Sequence, residues 1–137
     1  MKRSIFIDTN ILMDVLGRRE PFYQHSASVL ALSESGNVAG HISAISYNNS
    51  YYLLRRFYDH SAARKKMIAL RNIVIAVSLD QQIINQAIDS EFADFEDAIQ
   101  YFSALHIHAD CIITRNKKHF SRSDIPIFEP SEFLKLI

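Results

Sequence analysis

The chain has 137 residues, enough for one domain that buries roughly two-thirds of its unfolded surface. Its 15 basic and 15 acidic residues cancel, which excludes a protein that coats nucleic acid by bulk electrostatics, although a basic rim around an acidic site needs only a few placed cations. No window is long or apolar enough for a membrane span and no export signal is visible, so the expectation is a single cytoplasmic domain over residues 1–137 with no membrane contact.

Ser4-Ile5-Phe6-Ile7 reads as a short strand with neither face polar, as at the centre of a parallel sheet covered on both sides. It runs into Asp8-Thr9-Asn10, after which Ile11, Leu12, Val15 and Leu16 begin a helical stripe. Asp8 thus stands where a buried strand ends and a helix starts, the place where open α/β sheets put ligands. The plainer reading is a helix cap. Arg18 to Pro21 is a connection, with Pro21 placed to open a helix from Phe22 to about Ser35, and Gly36 placed to stop it. Val38 to Ile45 is β-compatible, and Ser46 is expected to cap a helix carrying Tyr47, Tyr51, Leu54, Phe57 and Tyr58, with Asn48 and Asn49 near its first turn.

A further helix starts at His60-Ser61, with Met67, Ile68 and Leu70 on one side and the solvated Arg64, Lys65 and Lys66 on the other. Ile73 to Val77 has the composition of a buried strand. Leu79-Asp80 leads into a helix with Ile83, Ile84, Ala87 and Ile88, and Asp94 to His106 forms another with Ala98, Ile99, Phe102 and Leu105 inward. Asp110 to Thr114 is a fourth strand, and its Cys111 has no partner for an internal disulfide and reads as a buried small hydrophobe. Pro126 to Phe128 is a short edge strand, and Pro130 to Leu136 a terminal helix. Strands alternating with helices predict a three-layer α/β/α fold on a five-stranded, mainly parallel sheet, with the first and fourth strands central.

Three polar clusters fall at strand ends or helix starts: Asp8 with Asn10; Asp94, Glu96 and Asp97; and Thr114, Arg115 and Asn116. The second is also explained by acids complementing a helix N-terminus. If Asp8 and Asp97 converge, they repel unless one is protonated or a cation intervenes. A hard divalent ion answers that need, and Asn116 could add a neutral oxygen. No His/Cys spacing suggests zinc and no glycine loop suggests a nucleotide cradle. Arg115, Lys117 and Lys118, with Arg18 and Arg19, are placed to meet phosphates without reading sequence. His119 reads as a phosphate contact, a proton donor to a leaving oxygen, or a plain surface histidine. Tyr47, Tyr51, Tyr52 and Tyr58 are at a spacing that suits core or a dimer face better than base stacking.

Phe6-Ile7-Asp8-Thr9-Asn10-Ile11-Leu12, then Asp94-Phe95-Glu96-Asp97-Ala98, then Thr114-Arg115-Asn116-Lys117-Lys118-His119-Phe120, resemble in order and spacing the motifs of PIN domains, including the VapC-type toxin ribonucleases. The resemblance spans nearly the whole chain. It implies a Mg²⁺- or Mn²⁺-dependent endonuclease of single-stranded RNA, the toxin of a toxin–antitoxin pair, working as a homodimer. Asp8 and Asp97 match metal-binding acids, with Asn116 and Asn49 as further catalytic positions. Asp94, Glu96, Asn10, Thr114 and His119 are accessory, and Arg115, Lys117 and Lys118 contact RNA. The chain departs from the pattern at Asn49, Asn116 and His119, where many relatives carry acids. The alternative is therefore a catalytically weak or inactive PIN-fold module that binds RNA or protein.

Overall fold

The computed structural model describes residues 2–137. In chain order the elements are β1 (Arg3–Ile7), α1 (Thr9–Leu16), α2 (Tyr23–Glu34), β2 (Val38–Ser43), α3 (Ala44–Leu54), α4 (His60–Arg71), β3 (Ile75–Val77), α5 (Gln81–Asp89), α6 (Phe95–His106), β4 (Cys111–Ile113), a short 3-10 helix (Lys117–Phe120), β5 (Ile127–Phe128) and α7 (Pro130–Leu134). The sheet order is β3-β2-β1-β4-β5, and every neighbouring pair is parallel. The expected α/β/α architecture and central β1 and β4 are observed.

β1 is central because Ile5, Phe6 and Ile7 are all fully buried, and alternation along the strand divides them between the two layers. Ile5 and Ile7 enter a core with Ile11, Leu12, Val29, Leu54, Leu70 and Phe133, from the helices α1 to α4 and α7. Phe6 points the other way, onto Tyr101, Ala104, Ile112 and Phe120. Beside that second layer, Ile83 and Ala87 of α5 pack on Ala98 and Ile99 of α6. Each fully buried Ile, Leu, Val or Phe among these contributes on the order of 1.5–3 kcal/mol. Cys111 is buried in β4, and burial pushes its thiol up to about 12, so it behaves as the small hydrophobe expected.

Several local expectations are corrected. Residues 73 to 77 are not a buried strand: β3 is confined to Ile75–Val77 at the sheet edge, with Ile75 56% exposed, because it pairs only with β2. Ser46 does not cap α3. Ser43 does, accepting from the Ile45 N–H at 3.2 Å, which leaves Ser46 buried inside the helix and moves Asn48 and Asn49 into its second turn. The helix stops at Leu54, short of Phe57 and Tyr58. Pro21 precedes rather than opens α2, which begins at Tyr23. Phe102 and Leu105 are half-buried while Tyr101 and Ala104 take the inward positions of α6, and Ile88 of α5 lies exposed. Gly36 ends α2 as expected, with φ of +83° and its N–H donating to Ser33 at 3.1 Å.

Candidate active site

Parallel pairing of β1 with β4 sets Ile7 beside Ile113, so both strands end on one edge of the sheet and Asp8 meets Thr114 across 106 positions of sequence. The N-terminus of α6 comes to the same edge, because Ala98 and Ile99 are anchored beneath it. These three stretches enclose a crevice of about 350 Å³ lined by Asp8, Thr9, Asn10, Asp94, Glu96, Asp97, Asn116, His119 and Arg19. Of the sequence-selected residues, Asn49 approaches only through Glu96, to which its Nδ2 donates at 2.5 Å.

Asp8 occupies the residue before α1 but makes no capping bond with its side chain. Its carboxylate accepts instead from the Thr114 hydroxyl at 2.6 Å. Thr114 is itself held there, accepting from the Asn116 N–H at 3.0 Å and from Asn10 Nδ2 at 3.4 Å. The cap reading therefore fails for Asp8, a buried acid tied to the next strand end. It holds for Asp94, which accepts from the Asp97 N–H at 2.9 Å and is exposed. Asp97 is 9% exposed, and His119 Nδ1 lies 3.1 Å from its Oδ2.

Burial first, and for Glu96 and Asp97 the neighbouring carboxylates second, favour the protonated forms. Burial raises Asp8 above its usual range, opposed by bonds from Thr114 and Gln100. Burial, then the charges of Asp8 and Asp94, raise Glu96. Burial followed by Asp8 and Asp94 pushes Asp97 up to about 6, despite the neighbouring His119.

Among the described residues no three His, Cys, Asp or Glu side chains form a ready-made metal cage. That does not suit a closed zinc site. The crevice offers instead two buried carboxylates, Asp8 and Asp97, and the Asn10 Oδ1, a buried carbonyl oxygen with no hydrogen-bond partner among the described residues. Asn116 stands on the same wall. This oxygen set, with carboxylates in mutual repulsion, fits a hard divalent ion that binds through one or two carboxylates and keeps several waters.

The basic residues separate into committed and available ones. Arg115 grips Asp14 through Nε at 2.7 Å and Nη2 at 3.0 Å, and its guanidinium stacks on Phe22 at 3.8 Å. Lys117 pairs with Glu132 at 3.1 Å, and Arg18 lies over Tyr23. Arg19 lines the acidic crevice, while Lys118 lines the two depressions that adjoin it. Of the tyrosines, Tyr47, Tyr51 and Tyr58 pack half-buried on the core and Tyr52 is exposed.

Two residues of the site escaped the sequence reading. Gln100, fully buried, accepts from the Thr9 N–H at 3.1 Å and so fixes the start of α1 beside Asp8. Its signal was a polar residue between Ile99 and Tyr101, three positions after Asp97 and so on the same helix face. Asp14, fully buried, also accepts from the Ser26 hydroxyl at 3.1 Å. An acid within the apolar stripe of α1 was the clue.

The family model described as PIN domain matches residues 4–118. Ribonuclease VapC1 of Aquifex aeolicus (strain VF5) is 23% identical over 135 residues, covering 95% of this chain and 92% of that protein. Among solved structures, VapBC2 from Rickettsia felis, bound to a DNA fragment from their promoter, is similar with a TM-score of 0.70 and 16% identity, over 92% of this chain and 97% of that one. Mycobacterium tuberculosis VapC20, a sarcin-ricin loop cleaving toxin, is similar with a TM-score of 0.63 and 19% identity, over 79% of this chain and 86% of that one.

Proposed function

Because the chain belongs to the PIN domain family, we propose that it is a divalent-metal-dependent endoribonuclease that cleaves single-stranded RNA and serves as the toxin of a toxin–antitoxin pair. The observation that carries this reading is the convergence of Asp8 and Asp97, from distant parts of the chain, in one crevice where the charge of Asp8 repels that of Asp97. Similarity to Ribonuclease VapC1 and to the VapBC2 structure supports the nuclease chemistry and an antitoxin partner. In this reading the protein is cytoplasmic, consistent with the absence, among the described residues, of any helix long and apolar enough to cross a membrane. It is a homodimer, for which the exposed Tyr52 and Phe57 give an apolar surface.

Asp8 and Asp97 would hold Mg²⁺ or Mn²⁺, with the carbonyl oxygens of Asn10 and Asn116 as neutral donors. When bound, such an ion lowers the pKa of water and stabilises the charge that builds on a phosphodiester. Thr114 fixes the Asp8 carboxylate by its hydroxyl. Asn49 fixes Glu96 at the crevice wall by donating to its carboxylate, whose remaining oxygen would be available to a water bound there. Arg19 and Lys118 receive flanking phosphates, which orients the strand without reading its bases.

A second reading, a PIN-fold module that binds RNA or protein without turnover, is favoured by the lack, among the described residues, of a three-ligand cage. Calorimetric titration with Mn²⁺ and Mg²⁺, beside cleavage of a mixed-sequence single-stranded RNA, separates the two. Loss of metal binding and cleavage in both Asp8→Asn and Asp97→Asn supports the nuclease. A folded wild type that neither binds metal nor cleaves leaves the binding module. The toxin role is tested by growth arrest on expression of the chain alone, and unaffected growth would sink it.

A further inference from the structure

We propose that Gln100 is a positioning residue of this site: from behind the crevice it restrains the Asp8 carboxylate, as Thr114 does from β4, and so sets how Asp8 and Asp97 approach a divalent ion. The proposal rests on the nuclease reading above. Gln100 is fully buried on α6 and does not line the crevice, so it does not itself meet substrate or metal. It lies three residues after Asp97, on the same face of that helix. Its Oε1 accepts from the Thr9 N–H at 3.1 Å and from the Thr9 hydroxyl at 3.4 Å. The Thr9 N–H is one of the groups at the start of α1 that the helix itself leaves without a partner. Gln100 supplies that partner from another helix, while the Asp8 side chain makes no capping bond and remains on the crevice wall.

A backbone N–H can only donate, so the amide oxygen must face Thr9 and the Nε2 group must take the other branch. Nε2 is buried and finds no partner at full hydrogen-bond geometry among the described residues. The acceptor on which the amide acts is the Asp8 carboxylate: burial raises that acid, and Gln100 together with Thr114 opposes the rise. One end of this side chain is therefore committed to the fold, and the other is left to a single carboxylate. The same helix carries Asp97, so one element holds an acid of the site and a restraint on the other acid. Groups that orient a ligating carboxylate from outside commonly govern metal affinity nearly as strongly as the ligands do. Thr9 Oγ1 and the buried Ser46 Oγ share a further hydrogen bond at 2.7 Å, which ties α3 to this junction through Thr9 alone. Ser46 is thus a purely structural counterpart against which Gln100 can be judged.

The test compares Gln100→Met with Ser46→Ala in the full chain, by calorimetry with Mn²⁺ and by cleavage of single-stranded RNA at saturating Mn²⁺. Both variants should unfold at lower denaturant than the wild type. Only Gln100→Met should lose Mn²⁺ affinity, by about tenfold or more, and show a lower kcat with an unchanged KM for RNA. The wild type also reports by itself, which covers a Gln100→Met chain that does not fold. Its Gln100 side-chain amide signal in ¹H–¹⁵N NMR should shift during Mg²⁺ titration, in step with the calorimetric binding curve. An amide that stays still while Mg²⁺ binds overturns the proposal. So does wild-type Mn²⁺ affinity in Gln100→Met, or an equal loss of affinity in Ser46→Ala, and all three outcomes leave the nuclease reading intact. A folded wild type that binds neither ion overturns both.

Discussion

At the scale of single residues, the site stores unfavourable charge that the sequence could announce only in part. Burial and the neighbouring Asp8 and Asp94 raise Asp97 from 3.8 to about 6. A carboxyl whose folded pKa is raised binds its proton more tightly in the folded state, so the metal-free fold is unpenalised below pH 3.8 and loses stability as pH rises through 6. Asp97→Asn should therefore stabilise the metal-free protein at pH 7.5 by up to about 2 kcal/mol, seen as a higher melting temperature, and make no difference near pH 3.5. Thermal melts in chelator across that range check it, and a destabilised variant at pH 7.5 would contradict the electrostatic account. Thr114→Val keeps the volume but removes the hydroxyl from Asp8, Asn10 and Asn116. It should cost about 1–2 kcal/mol and weaken metal binding about tenfold or more, read by denaturant titration and calorimetry. Asp8 and Asp97 were legible because acids at a strand end and a helix start are visible in one dimension. That Asp8 is not a cap was not legible, since its true partner lies 106 residues away.

At the scale of elements, the polar residues that join helices to strands divide into those that act on a substrate and those that hold the fold. Arg115 had the sequence profile of a phosphate contact, yet its guanidinium fastens the loop after β4 onto Asp14 of α1 and Phe22 before α2. Arg115→Ala leaves a fully buried aspartate without its cation, and should cost about 3 kcal/mol in denaturant unfolding. Lys118→Ala should instead leave the unfolding curve in place and raise the KM for RNA, so the pair of variants separates holding from binding. Misplacing the cap of α3 had a simple cause. Ser43 and Ser46 are both plausible caps at that strand end, and only where β2 releases its backbone from the sheet decides which one faces a free N–H. The same kind of limit applies to β3. A run of Ile and Val reads as interior, but its place at the edge is decided by sheet order.

For the whole molecule, zero net charge together with an acidic crevice sets how RNA would be held. With Arg115 and Lys117 paired, few cations remain at the crevice. RNA affinity should therefore fall only gently with salt, with a log–log slope of about −1 to −3 for the few phosphates contacted. Fluorescence anisotropy of a labelled single strand between low and high salt measures this, and a slope much steeper would place the strand on another surface. The alternation of strands and helices carried the architecture, because it is a property of the entire pattern that no single misjudged boundary disturbs. Sheet order has one more consequence, which lies in time. β1 is made first yet sits between β2 and β4, so during synthesis its second edge stays open until residues 111 to 113 emerge, and Asp8 has no hydroxyl to hold it until Thr114 follows. The crevice is thus assembled only when almost all of these residues have left the ribosome. Whatever chemistry the crevice supports therefore waits on the last quarter of these residues, and not on the helices between them.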